Sequence, residues 1–320
     1  MNTRELGKDG LQITEIGLGA WAIGGAWAWG WGDQEDEASV QTIHKALDLG
    51  INWIDTAPVY GLGHSEMIVG QTVKDRRSEI LIATKCGLVW DDQKNITNNN
   101  RPESIRKECE DSLRRLGTDY IDLYQIHWPD EKVAVEDSWG EMTRLQEEGK
   151  VRFIGVSNFD VPLLEKCQAI APISSLQPPY SMVNRFIERE ILPWCKENNV
   201  GVVAYSPLQN GLLTGKFSLD FIETLAENDW RRQHSPHFFN KKNFPKVLAF
   251  VGELRPIADA YDKTTTQLAI AWVLMHPAMT SAIAGARKLP QAEHNVGGSG
   301  WQISEADMEK IDRIFQEIFN

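Results

Sequence analysis

The chain has 320 residues, 42% hydrophobic and 24% charged, the balance of a globular protein with room for a large core. A net charge of −12 disfavours nucleic acid and anionic membrane as partners, although a few local basic residues can still hold a phosphate. No apolar run approaches the roughly 18 residues of a membrane helix, and Met1–Glu5 opens no apolar signal region, so a cytoplasmic enzyme or binding protein is expected.

Thr3 to Thr14 reads as two short extended runs joined at Lys8-Asp9-Gly10, a hairpin signal. Eight apolar strand-like runs come after it: Glu15–Gly19, Asn52–Asp55, Ile80–Lys85, Ile121–His127, Phe153–Ser157, Ser174–Gln177, Val200–Tyr205 and Ser281–Ala284. Helix-like stretches lie between them at Glu35–Leu49, Ser65–Val73, Arg101–Leu116, Ala134–Glu148, Val161–Ile170 and Phe186–Asn198. Gly50, Gly117 and Gly149 stand where helix C-caps belong.

Alternation of this kind implies a parallel sheet. Eight units without a linker favour one closed α/β barrel, the (β/α)8 TIM fold, over residues 1–320 as a single catalytic domain. A doubly wound dinucleotide fold would want G-x-G-x-x-G after its first strand; here that strand ends Gly17-Leu18-Gly19-Ala20-Trp21 and a tryptophan-rich loop comes next. The long connections Ala20–Gln34, Cys86–Asn100 and Ser206–Lys246 all leave the C-terminal strand ends, where barrels carry their active sites.

Asp55, Lys85 and His127 sit at the ends of consecutive predicted strands, and adjacent strands lie roughly 4.8 Å apart, so the three side chains converge if all point inward. Tyr60 comes five residues after Asp55 on a Pro/Gly loop and can fold back over them. The set suits proton donation to a carbonyl oxygen. An adjacent ammonium is expected to lower the phenol's pKa from near 10, and Asp55 to keep Lys85 charged. His127 would orient the substrate oxygen. The hydride must come from a cofactor, since no side chain supplies one. The bland alternative is a structural Asp55–Lys85 ion pair, for neither residue type is buried unless paired.

The four cysteines, Cys86, Cys109, Cys167 and Cys195, have no metal-like spacing and read as reduced thiols; only Cys86, next to Lys85, is expected near chemistry. The seven histidines include no H-x-H at the first strand end, and His234 and His237 fall in a long polar loop, so a metal-dependent hydrolase is disfavoured and no metal is expected.

Gly50-Ile51-Asn52-Trp53-Ile54-Asp55-Thr56-Ala57, with Tyr60-Gly61 and Ser65-Glu66, resembles the first signature of the aldo-keto reductases. Ala83-Thr84-Lys85, Ile126–Asp130, Ile154–Phe159, Leu176–Tyr180, Ala204–Leu208 and Gly285-Ala286-Arg287 also match that family, in its order and over nearly the whole chain, closest to bacterial general-stress-type members. The resemblance implies Tyr60 as general acid/base, with Asp55, Lys85 and His127 completing a tetrad. It implies that Ser157, Asn158 and Gln177 bind a nicotinamide carboxamide and that Tyr205 stacks on the ring. Ser206, Leu208, Gly211, Leu212 and Lys216 would lie along the pyrophosphate.

Gly285 is a further cofactor-binding candidate, and the resemblance places Arg287 and Lys288 at the adenosine 2′-phosphate, which favours NADP (as NADPH) with NAD as the alternative cofactor. Gln291 and Asn295 match adenine-side positions, but His294 stands where the family commonly has Glu. Trp21 and Trp128, and less so Trp53, are candidates to line the pocket of a small carbonyl or alcohol substrate. Trp27-Ala28-Trp29-Gly30-Trp31 reads as a lid or an oligomer contact; nothing in the sequence selects an oligomeric state. The alternative function is a nicotinamide-binding regulatory subunit with little turnover.

Overall fold

The computed structural model describes every residue except Asp9, Trp31, 226–228, Trp230, 233–234 and Asn320. Strands β1 (Thr3–Leu6) and β2 (Leu11–Thr14) pair antiparallel, as the hairpin reading expects, although Asp9 of its turn lies outside the described residues. Leu6, Leu11 and Ile13 pack against Trp53, Ala83, Leu123, Val203 and Ile283, so the hairpin closes the floor of a barrel.

Eight parallel strands form that barrel, arranged in chain order: β3 (Ile16–Gly19), β4 (Trp53–Asp55), β5 (Leu81–Cys86), β8 (Ile121–Ile126), β9 (Val151–Ser157), β10 (Ser175–Gln177), β11 (Gly201–Ala204) and β12 (Met279–Gly285), with β12 returning to β3. An outer hairpin of β6 (Leu88–Trp90) and β7 (Ile96–Asn98) interrupts the series. This is the expected (β/α)8 architecture. The short apolar runs are buried on both faces, which is why they read as continuous hydrophobic stretches.

The surrounding helices are α1 (Asp36–Asp48), α2 (His64–Val73), α3 (Pro102–Leu116), α4 (Val135–Glu147), α5 (Val161–Gln168), α6 (Ile191–Glu197), a one-turn α7 (Phe221–Thr224), α8 (Phe244–Asp259), α9 (Thr265–Met275), α10 (Leu289–Val296) and α11 (Glu305–Phe319). Gly50, Gly117 and Gly149 all take positive φ at helix ends, as expected.

Three local expectations need correction. Phe186–Asn198 is not one helix: a 3₁₀ turn at Phe186–Glu188 ends before α6. Glu190 has φ −131°, and Pro193 is tolerated only because it falls in the first turn of a new helix. The connection Cys86–Asn100 contains the β6/β7 hairpin rather than irregular loop. The third long connection ends earlier than expected, because α8 begins at Phe244. Among the described residues no helix is long and apolar enough to cross a membrane.

Candidate active site

Register explains why the ionisable residues meet. Asp55 pairs with Ala83, and Lys85 stands two residues further along β5; Lys85 pairs with Gln125, and His127 stands two further again. Each step of two keeps the side chain on the same face of its strand while climbing toward the barrel mouth.

Lys85 is fully buried, and its Nζ donates to Asp55 Oδ1 (2.8 Å) and Oδ2 (2.9 Å), to the Thr56 carbonyl (2.9 Å) and to the Tyr60 hydroxyl oxygen (3.2 Å). Asp55 also accepts from Gln177 Nε2 at 2.8 Å. The His127 ring meets Tyr60 edge-on at 5.9 Å. All four predicted catalytic side chains therefore come together.

The loop carrying Tyr60 is fixed from several sides. The Tyr60 N–H donates to the Ala57 carbonyl and the Ser65 N–H to the Tyr60 carbonyl, while Ser65 Oγ bonds Thr56 Oγ1 (2.9 Å) and donates to the Ala20 carbonyl (2.9 Å). Gly61 has φ +65°, and a Cβ there would lie 2.2 Å from the Gly24 carbonyl oxygen, so only glycine lets the two loops touch. Behind β5, buried Glu66 accepts from Thr84 Oγ1 (2.6 Å) and Arg115 Nε (2.6 Å). Its position inside the Ser65-Glu66 match is visible in the sequence; its supporting role is not.

Electrostatics overturn one expectation. The Tyr60 phenol is pushed well above its ordinary value near 10, not below it: burial dominates, and the Asp55 carboxylate adds to it. Burial also lowers Lys85, against the pull of Asp55, and holds His127 well below 6.5 with help from the Lys85 charge. The site at neutral pH thus holds a neutral phenol beside a neutral imidazole. Because Tyr60 oxygen accepts from Lys85, its own proton is left to point elsewhere.

Cys86 is a second correction. Adjacent strand residues face opposite ways, so Cys86 turns outward, its Sγ 3.6 Å from the Gln125 carbonyl oxygen and 3.9 Å from Met142 Sδ. Burial raises that thiol well above its usual range.

The aromatic candidates separate. Trp53, the weakest of the pocket candidates, lies in the barrel floor, because β4 begins there and turns its first side chain toward the hairpin. Trp128 is 45% exposed at the rim, and Trp21 meets Trp27 edge-on at 6.5 Å. The sequence offers Trp27 and Trp29 only as lid or interface, yet they pack with Tyr60 over Ala57, Val59, Leu88 and Ile96, Trp27 lying 6.0 Å from the Tyr60 ring. Trp31 and His234 lie outside the described residues.

The predicted cofactor residues ring the mouth. Asn158 (φ 64°) accepts from Tyr205 OH (2.9 Å) and donates to the His127 carbonyl (3.0 Å) and to Ser157 Oγ (2.9 Å); Ser157 Oγ donates to the Gln177 carbonyl (2.8 Å). A carboxamide bound here would have to exchange with part of this network. Ser206 and Gly211 take positive φ, Leu208 is partly buried, Lys216 is exposed, and the Leu212 side chain is fully buried, so only its backbone faces any ligand.

Gly285 is exposed, and a Cβ there would meet only the Gly19 carbonyl oxygen, at 3.8 Å. Beside this open strand end stand the cations Arg287 and Lys288. Gln291 Oε1 accepts from the Arg287 N–H (2.7 Å) and Lys288 N–H (3.1 Å), and buried Asn295 donates to the Gly285 carbonyl (3.1 Å). Gln291 thus caps the start of α10, and Asn295, in its last turn, ties the helix to the end of β12. His294 bonds Thr264 Oγ1 at 2.8 Å, its pKa lowered by burial and by Lys216. A basic rim of this kind on a chain of net charge −12 fits a phosphate-bearing dinucleotide. No group of metal-ligating side chains occurs among the described residues.

Comparison with known proteins agrees with this geometry. Residues 15–316 match the model of the Aldo/keto reductase family. The chain is 40% identical to the aldo-keto reductase YhdN of Bacillus subtilis over 320 residues, covering 99% of this chain and 94% of that protein. It is 36% identical to the NADH-specific methylglyoxal reductase of Escherichia coli, covering 94% of each. Among solved structures, the glycerol dehydrogenase AKR11B4 from Gluconobacter oxydans superposes with a TM-score of 0.90 at 41% identity, over 99% of this chain and 96% of that one.

Proposed function

The chain belongs to the aldo/keto reductase family and is an NAD(P)H-dependent oxidoreductase; from this premise we propose that residues 1–320 form one cytoplasmic catalytic domain in which Tyr60 donates the proton that completes carbonyl reduction. The observation that carries the proposal is the 3.2 Å bond from buried Lys85 to the phenol oxygen. It fixes that oxygen and turns its proton toward the pocket. The bound dinucleotide supplies the hydride.

Neutral His127, beside Tyr60, offers a hydrogen bond that places the substrate oxygen. Asp55 holds Lys85 in place, and Gln177 holds Asp55. Trp27 and Trp29 exclude water from the phenol. Ser157, Asn158 and Gln177 are assigned to the carboxamide, and Tyr205 to the ring face. The turn Ser206–Lys216 is assigned to the pyrophosphate, and Arg287 and Lys288 to a 2′-phosphate. That last assignment makes NADPH the preferred cofactor, with NADH the alternative, since the methylglyoxal reductase relative is NADH-specific. Four buried free thiols support the cytoplasmic placement.

The substrate is a small uncharged aldehyde or the corresponding alcohol. Apart from the Lys85–Asp55 pair, the cluster packed on Tyr60 is apolar, and methylglyoxal and glycerol, named for two relatives, are molecules of that size. The test is Tyr60→Phe, with loss of reduced-nicotinamide absorbance monitored on a panel of aldehydes. Turnover falls by about 10²–10⁴-fold while dinucleotide binding is kept. Turnover near that of the wild type removes Tyr60 as the donor, and a wild type that binds dinucleotide but turns over no carbonyl favours a regulatory subunit.

A further inference from the structure

The loop that covers Tyr60 is fastened at its far end to Arg287. Gln34, the last residue before the α1 N-cap, accepts from Arg287 Nε at 3.1 Å through its Oε1 and donates from Nε2 to the Arg287 carbonyl at 3.0 Å. Its Nε2 also lies 3.1 Å from Ser39 Oγ. The Asp33 carbonyl takes a hydrogen bond from Arg287 Nη2. Nε and Nη2 form the lateral fork of a guanidinium, one of the two edges able to grip a phosphate through two parallel bonds. That fork is occupied by two neutral carbonyl-type oxygens of the substrate-side loop.

We propose that Gln34 is a positioning residue that governs cofactor choice: it latches Arg287 to the loop over the active site, and a 2′-phosphate must displace this latch to engage the lateral fork. The proposal rests on the reading of Arg287 as the 2′-phosphate ligand. A phosphate wins the exchange because it brings a negative charge and two parallel bonds to the guanidinium, an attraction that neutral carbonyl oxygens do not supply. The displaced bond is nonetheless subtracted from NADPH affinity. NADH carries no phosphate there and leaves the latch closed. Discrimination between the two cofactors is therefore smaller than an unlatched arginine would give. The same loop reaches Tyr60 through Trp27, so the latch joins cofactor identity to the cover over the phenol.

The experiment measures dissociation constants for NADPH and NADH by quenching of intrinsic tryptophan fluorescence, without turnover, in the wild type and in Gln34→Ala, Gln34→Glu and Arg287→Ala. Gln34→Ala tightens NADPH about fivefold, the worth of one hydrogen bond, and leaves NADH unchanged. Gln34→Glu turns the latch into an ion pair and weakens NADPH about tenfold, again sparing NADH. General damage to the loop would move both cofactors the same way in both variants.

NADPH affinity unchanged or weakened by Gln34→Ala overturns the latch, as does an equal shift for NADH. Arg287→Ala separates the two readings. If it leaves NADPH affinity intact, the 2′-phosphate assignment fails first and the latch with it. If it weakens NADPH while Gln34→Ala does not tighten it, only the latch fails.

Discussion

Lys85→Met removes the cation at the centre of the site and leaves its partner behind. Asp55 is 3% exposed and would keep only the Gln177 amide among its side-chain donors in place of two further bonds at 2.8 and 2.9 Å. Breaking a buried pair from one side costs about 3–5 kcal/mol, a large part of a total stability of about 5–15 kcal/mol. For a chain of 320 residues that lowers the melting temperature by roughly 4–7 °C. The double variant Asp55→Asn/Lys85→Met removes both charges while keeping an acceptor for Gln177, and returns most of that stability. It stays inactive, because nothing holds the Tyr60 oxygen. Urea denaturation gives the stabilities, and aldehyde reduction gives the activity. A single variant within about 1 kcal/mol of the wild type, or a double variant no more stable than the single, would refute the view that the pair is buried charge held for chemistry.

The same geometry carries three further outcomes. The Glu108 carboxyl, buried and bonded by the Gly87 N–H and Ser104 Oγ, is raised by burial to about 8. A folded-state pKa above the unfolded one gives stability that is full below about 4.5 and lost as pH rises through about 8, so the melting temperature falls from pH 6 to pH 9 and Glu108→Gln flattens that fall. On the proposed roles, reduction needs Tyr60 protonated and His127 neutral; with the first raised above 10 and the second lowered below 6.5, the pH profile of carbonyl reduction is flat between those limits, and a break near neutrality would assign the chemistry elsewhere. All four thiols are buried, with Cys109, Cys167 and Cys195 raised to about 12, so iodoacetamide at neutral pH leaves activity intact, as a timed-inactivation assay would show.

The barrel and the meeting of Asp55, Lys85 and His127 are legible because alternation along a buried strand carries its own geometry. A charged residue at the end of an apolar run has only the barrel interior to enter. The β6/β7 hairpin is not legible. Its turn uses Lys94 at φ 66° rather than a glycine, and is held by the Asp91 carboxylate accepting from the N–H groups of Gln93 and Asn95. No Gly or Asn-Gly signal marks it, and its strands are three residues each. Pro193 does signal the break before α6, but the apolar pattern running through it suggests one continuous helix. The contacts of Trp27 and Gln34 join segments far apart in the chain, and local patterning carries no trace of them.

The direction of the Tyr60 shift escapes the sequence for a related reason. The sequence places an ammonium beside a phenol, and that pair alone lowers the phenol's pKa. That the tryptophan loop covers a partly buried phenol, and that Asp55 sits against Lys85 and opposes its field, are properties of the closed barrel. The result changes what the tetrad is for. A phenol raised by burial is a poor resting base but keeps its proton until charge develops on the carbonyl oxygen, when Lys85, already bonded at 3.2 Å, stabilises the phenolate being formed. Because the reduction that gains a proton here would return it when run backwards, Tyr60→Phe should lose alcohol oxidation as well as carbonyl reduction, and a variant that keeps either direction would place the proton on another group.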